Sequence, residues 1–234
     1  MPFNFTSYKH YSVNYSNLFD ELNSNKFLND STIQSKYLES WINTLKNSDN
    51  IITEQLKTPD SIKNLIVLLS SEPEIFQLPI TYGDNELFIH FRASIANQII
   101  PSGTKGEHIP LNEFTKSNSS IHWTPVDENV DSYSDSKEPI IMVPFLNGQH
   151  NSLVIDGNHR VTYNVKNNID NITEIIISEQ SVIDFSLFSS GFDKMLYIMH
   201  NELNHMANAT HRENANAIDL IKKSYLVDKK FKFI

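Results

Sequence analysis

Residues 139–177 read PIIMVPFLNGQHNSLVIDGNHRVTYNVKNNIDNITEIII, and the fold turns on how this stretch is divided. Ile140-Ile141-Met142-Val143 and Leu153-Val154-Ile155 are short, rich in β-branched residues and bounded by turn residues, as buried strands are. Asn147-Gly148 between them is a hairpin signal. Beyond Gly157 the apolar spacing changes. Val161, Val165 and Ile169 recur every fourth residue, which places them on one face of a helix. A further strand is expected from Ile172 to Ser178. The local reading is therefore strand, tight turn, helix, strand, centred on Asp156-Gly157-Asn158-His159-Arg160.

A turn that opens a helix leaves several backbone N–H groups unpaired and carries about half a positive charge, so it attracts anions, phosphate foremost. Gly157 keeps the backbone bare and tolerates positive φ. Arg160 in the first turn can give a two-pronged hydrogen bond that Lys cannot reproduce, and Asn158 lies in the same turn. His159 can donate a hydrogen bond or act as an acid. Asp156 is the misfit, because its charge repels phosphate. Four roles stay open for it: capping the helix, orienting Arg160, holding Mg2+, or accepting a proton from a substrate hydroxyl. The same five residues also suit a plain turn followed by a solvated first helical turn.

The string VIDGNHRVTYNV, placed after one strand and before another, resembles the ParB/sulfiredoxin fold family, whose Gly-x-x-Arg motif at a strand-to-helix turn binds nucleotide phosphates; Gly157 and Arg160 match it. The resemblance spans residues 107–178 and is loose before Pro139. It implies a small mixed sheet and a nucleotide ligand such as ATP, ADP or CTP with Mg2+. Sulfiredoxins carry their catalytic cysteine where Asn158 stands here, so their redox chemistry is excluded. ParB partition proteins have an arginine where His159 stands, and the residues after the motif are too few for their usual DNA-binding and dimerisation domains. The Asp-Gly-x-His-Arg form is most similar to relatives that phosphorylate free serine, although their catalytic glutamate has no residue-by-residue counterpart here.

Composition narrows the classes. The 234 residues are 39% hydrophobic and 20% charged, enough for a sizeable core in one or two domains. A net charge of −9 argues against a mainly electrostatic nucleic-acid binder. With no cysteine, disulfides, thiolate metal sites and cysteine nucleophiles are excluded. Met1 to Phe5 show no leader pattern and no apolar run approaches the roughly 20 residues of a membrane span, so the expected location is cytoplasmic. Abundant Asn, Ser, Ile and Lys point to an AT-rich genome.

Working outward, residues 1–77 read as a helical segment. Leu18, Phe19 and Leu22 start one helix. Asp30-Ser31 caps a second, with Ile33, Tyr37, Leu38, Trp41, Ile42 and Leu45 on one face. A separate short helix is expected over Ile51–Leu56, and Thr58-Pro59-Asp60 starts another that buries Ile62, Leu65, Ile66 and Leu69. Residues 78–106 read as a hairpin, Ile80 to Phe91 about Gly83-Asp84-Asn85, and a connecting loop, Pro101 to Gly106, that lacks Walker A spacing.

Residues 107–178 form the family-like domain, with His108–Leu111 as its first strand. An acidic helix is expected over Asp127–Asp135, and Glu113, Asp127 and Glu128 are candidates for a metal ligand or base. Acids in a first helical turn need no further role, however. Residues 179–234 are again helical. Phe192, Met195, Leu196, Met199, Leu203 and Met206 mark an amphipathic helix, with a last helix over Glu213–Leu226. His200, Glu202, His205 and His211 invite a metal reading, but His200 and His205 point roughly 140° apart on a helix. The tail Lys229-Lys230-Phe231-Lys232-Phe233-Ile234 mixes basic and aromatic residues, suited to a partner or to a docked aromatic end.

The expectation is an α+β protein in which a small mixed sheet of ParB/sulfiredoxin type is flanked by helical N- and C-terminal segments. The leading function is nucleotide phosphate binding by Gly157, Asn158, His159 and Arg160. Phosphoryl transfer to a small molecule or nucleotide hydrolysis would use Asp156 and His159, with Asp156 or Glu128 on Mg2+. The alternative is a non-catalytic, nucleotide-switched module with a protein or DNA partner. Nuclease action is the least favoured class.

Overall fold

In the computed structural model, residues 2–7, 9–71 and 74–233 are described, apart from the side chains of Leu68 and Leu69. The chain is a mixed α+β protein. In order it forms β1 (Phe3–Asn4), β2 (Lys9–His10), α1 (Tyr15–Ser24), α2 (Ser31–Gln55), α3 (Pro59–Ser71), β3 (Ile75–Tyr82), β4 (Asn85–Arg92), α4 (Ala93–Ile99), β5 (Glu107–Pro110), α5 (Asn112–Thr115) and β6 (Ile121–His122). A 3-10 turn (Asp131–Tyr133) precedes β7 (Ile140–Pro144), β8 (Ser152–Asp156), α6 (Asn158–Asn167), β9 (Asn171–Ile176), α7 (Glu179–Asp184), α8 (Gly191–Glu213), α9 (Ala217–Lys223) and α10 (Tyr225–Asp228). Among the described residues no helix is long and apolar enough to cross a membrane.

These elements make two compact units. One is contiguous, Ala93–Leu187. The other is built from both ends of the chain, Met1–Arg92 with Phe188–Ile234.

In the two-ended unit α2 packs on α8. The apolar face read from the sequence is buried, with Leu38, Trp41 and Leu45 wholly inaccessible. Asp30 caps α2 by accepting from the amides of Thr32 and Ile33, as its position before the apolar run demands. The separate helix expected over Ile51–Leu56 does not exist. α2 runs on to Gln55, because Ile52 falls two turns after Leu45 and stays on the buried stripe.

The hairpin is longer than expected, pairing Ile75 with Arg92 through to Tyr82 with Asn85. Pro79 hid its first half. Proline is tolerated because β3 pairs on one side only. Phe91 of β4 meets Tyr197 of α8 edge to face at 5.8 Å. In α3 the expected buried face is only partly so: Leu65 and Ile66 are half-buried, Ile62 is 37% exposed, and the side chain of Leu69 lies outside the described residues. The last helix divides at Ser224 into α9 and α10, and Glu213 belongs to α8.

The buried end of this unit holds a polar network. The Tyr37 hydroxyl donates to Glu202 Oε2 at 2.6 Å and accepts from Trp41 Nε1 at 2.8 Å. Ser224 Oγ and the amide of Tyr225 also donate to Glu202. Glu202 thus pins the start of α10 to α8 and α2.

The contiguous unit carries a five-stranded mixed sheet in the order β5-β9-β7-β8-β6. β9/β7 and β8/β6 are parallel, β5/β9 and β7/β8 antiparallel. α6 lays Val161 and Val165 on the face formed by Ile140, Met142, Val154 and Ile172. The hairpin tip is as read, with Gly148 at φ 84° and Asn147 Oδ1 accepting from His150 N. α6 ends at Asn167, with Asn168 left-handed, so Ile169 is not on its face and is 42% exposed. The acidic helix expected over Asp127–Asp135 is absent. The amides of Thr124 and Val126 bond to Asn158 Oδ1 (2.8 Å) and Thr162 Oγ1 (3.1 Å), which draws the segment out along α6, and only Asp131–Tyr133 coils.

Candidate functional site

The Asp156–Arg160 turn has the strand-to-helix form its sequence predicts. β8 ends on Asp156, Gly157 caps α6 at φ 96°, ψ 15°, and the amide of Val161 is the first to return to Gly157 O. Only glycine fits. Any other residue is strained at this left-handed φ, and a Cβ there would lie 2.6 Å from Ile140 Cγ2 and 2.9 Å from an Arg160 guanidinium nitrogen. Gly157 therefore serves packing within the turn as well as the bend.

Arg160 is 88% removed from solvent by its side-chain exposure of 12%. Its Nη2 donates to Pro139 O at 3.0 Å and lies 3.3 Å from Asp156 Oδ2; Nη1 is 3.5 Å from Glu138. Its Nε is buried without a hydrogen-bond partner. Asp156 is itself nearly buried, and its Oδ2 also accepts from Asn97 Nδ2 of α4 at 2.9 Å. Hydrogen-bonded by Asn97 and ion-paired with Arg160, its carboxylate is placed for the second of the four roles open to it, orienting Arg160.

Asn158 is buried and its side chain is committed, accepting from Thr124 N and donating to Val154 O at 3.2 Å. Any anion it holds is held by its backbone. His159 is half-exposed. It stacks on Tyr133 (5.2 Å, 20°) and its Nε2 lies 3.7 Å from Glu128. Glu128 is thus brought to the turn despite the absent helix. Asp127 is exposed, and Glu113 is paired with Lys116.

The C-terminal residues with metal-ligand character do other work in the two-ended unit. His200 Nδ1 meets the Tyr82 hydroxyl at 2.6 Å, Glu202 holds the buried network, and His205 stacks on Phe233 at 5.6 Å. Phe231 and Phe233 are buried, so the tail ends as a docked aromatic pair. Among the described residues no group of three or more His, Asp or Glu is placed to hold a metal ion.

Sequence reading missed Tyr133, Asn97, Glu138 and Glu174. The first three carry no local signal. Glu174 did: in Asn-Ile-Thr-Glu-Ile-Ile the inward Ile172 puts Glu174 inward too. It pairs with Ile140 in register on β7 and with Glu107 on β5, is 6% exposed, and has one buried oxygen without a partner. Burial first, then the Glu107 charge, push its pKa up to about 7. Gly106, in the loop before β5, runs so close that a Cβ would meet Glu174 O at 2.6 Å.

No protein-family model, curated protein or solved structure matches the chain.

Proposed function

We propose that the Asp156–Arg160 turn is a nucleotide-phosphate site of the ParB/sulfiredoxin-like kind, acting in Mg2+-dependent phosphoryl transfer to a small molecule or in nucleotide hydrolysis. The observation that carries this reading is Arg160: a nearly buried guanidinium at a helix start, with Nε aimed at no protein acceptor. A buried charged donor left short of a partner costs free energy, and a phosphate oxygen would satisfy it. The first-turn amides of Asn158, His159 and Arg160 add N–H groups at the positive helix end.

The carboxylates of Asp156, Glu128 and Glu138 around the turn disfavour a bare anion. They fit a nucleotide whose charge is offset by Mg2+, which when bound would supply that neutralisation, with Glu128 or Asp156 its nearest carboxylates. In this reading Arg160 orients the phosphate, Asp156 positions Arg160, and His159 holds or passes a proton with Glu128 beside it.

A second reading, nucleotide binding as a switch without turnover, draws on the ion pairs themselves. A phosphate that takes Arg160 from Glu138 and Pro139 O frees the segment leading into β7.

Thermal-shift measurement with ATP, ADP, CTP and phosphorylated small molecules, with and without Mg2+, tests both. A ligand at a hundred times its Kd should stabilise the native chain by about 2.7 kcal/mol, with the response lost in a folded Arg160→Ala. No response from any ligand would refute the site, and product formation by the responding ligand separates enzyme from switch.

A further inference from the structure

Along α2, Ile33, Tyr37, Ser40 and Thr44 follow one another at three- and four-residue steps and form one wall of a groove. Ile221 of α9 with Leu226 and Val227 of α10 form the other. The groove has a volume of about 540 Å3, in the size range of small-molecule sites. At 1.5 Å per residue, the stripe from Ile33 to Thr44 is roughly 16 Å long.

Its polar atoms are already engaged. The Tyr37 hydroxyl is engaged with Glu202 and Trp41, so Tyr37 lines the groove with its ring. Ser40 Oγ donates to Lys36 O at 3.0 Å and Thr44 Oγ1 to Ser40 O at 2.9 Å, so each hydroxyl is tied back to its own helix. What the groove offers a ligand is ring, methyl and methylene surface. Val227, 59% exposed, carries that surface to the rim.

The exceptions are two ammonium groups, Lys36 and Lys229, which also line the groove. Lys229 Nζ sits over the Tyr225 ring at 5.5 Å, and neither lysine is ion-paired among the described residues. The acids on the neighbouring helices are taken: Asp219 by Lys222 at 2.8 Å and Asp228 by Lys232. On a chain of net charge −9, an apolar trough with unpaired cations and no carboxylate in its lining selects for an apolar anion. The α10 wall is held from within by Glu202, so the groove is preformed.

We propose that this groove binds an aliphatic carboxylate, its acyl chain laid along α2 between Tyr37 and Leu226 and its head group held by the lysine rim. The proposal is independent of the phosphate reading.

Isothermal titration of the full-length chain with octanoate, decanoate, dodecanoate and dodecanol tests it. One equivalent should bind, with affinity rising by up to about fourfold per methylene buried. Dodecanol should bind at least tenfold more weakly than dodecanoate. Lys36→Met with Lys229→Met should lose at least tenfold for dodecanoate, and Ser40→Trp, at an exposed position, should block the groove. Arg160→Ala should bind as the native chain does. Absence of binding, equal affinity for dodecanol, or native affinity in the lysine double variant would overturn the proposal. So would an acidic amphipathic peptide that binds where dodecanoate does not. The lysine side chains are exposed, so that variant keeps the test valid should Ser40→Trp fail to fold.

Discussion

Glu174→Gln should make the contiguous unit more stable at pH 8 and leave it nearly unchanged at pH 5. The carboxyl of Glu174 is buried beside Ile140, faces Glu107 across the strand pair, and has its pKa raised from 4.5 to about 7. A raised acid binds more protons folded than unfolded. Its contribution is therefore fully present below the unfolded value and is lost as pH climbs from 4.5 through about 7. A shift of that size corresponds to roughly 3 kcal/mol, most of which falls between pH 5 and pH 8. Glutamine keeps the shape and removes the titration.

The wild type alone will not show the effect cleanly, because His90, His122 and His150 have lowered values, each through burial first, and contribute slopes of opposite sign. The difference between wild type and Glu174→Gln cancels them. Urea unfolding at half-unit pH steps, with hydrogen exchange of peptides covering β7 and β9, gives that difference for the right unit. A difference that stays flat across pH 5–8, or a Gln variant destabilised at pH 8, would show that the buried carboxylate is ionised and compensated, and would refute the reasoning.

Three further outcomes are expected. Gly157→Ala should destabilise the contiguous unit by about 2 kcal/mol or more in denaturant unfolding, since it adds a left-handed alanine to an overlap with Ile140 Cγ2; a cost near zero would show that the turn relaxes freely. Tyr37→Phe should cost about 1–3 kcal/mol, because it strips a donor from buried Glu202 and an acceptor from Trp41 Nε1, and its loss should appear as faster exchange in α10. His122 and His150 meet edge to face at 5.0 Å, and burial, with His150 as the second cause at His122, lowers their values. The folded state therefore takes up fewer protons than the unfolded below about pH 6.5, so stability falls as the pH drops through that region. His122→Gln should flatten the fall, followed by denaturant midpoints from pH 7 to 5.

Strong periodicity and turn chemistry made much of the fold legible. β7, β8, α6, β9, α8 and the first part of α2 follow from apolar spacing and bounding turn or cap residues, and the turn at Gly157 from five residues. The misreadings share a cause in contacts made by residues distant in sequence. Thr124-Pro125 followed by acids is a helix start by local chemistry, yet Asn158 and Thr162 claim the amides that a helix would have left for water. A separate helix is expected from Ile51, yet Asp49 accepts from the Tyr15 hydroxyl at 2.7 Å and α2 continues through it. At the turn, sequence chemistry pointed to Asp156, His159 and Arg160. That Asp156 is held by Asn97, and that Tyr133 backs His159, depends on residues 59 and 26 positions away and leaves no local mark.

The discontinuity of the two-ended unit sets an order on biosynthesis. Residues 93–187 leave the ribosome as an unbroken stretch with their core complete, and can fold while the rest is still being made. α2 cannot. It packs on α1, made just before it, but its cover is completed only by α8, whose Leu196 follows Leu45 by about 150 residues. At translation rates of about 5–20 residues per second, that apolar face waits on the order of 10 s for its cover. A truncation before α8 would therefore keep the contiguous unit whole and leave the other without one of the two long helices of its core.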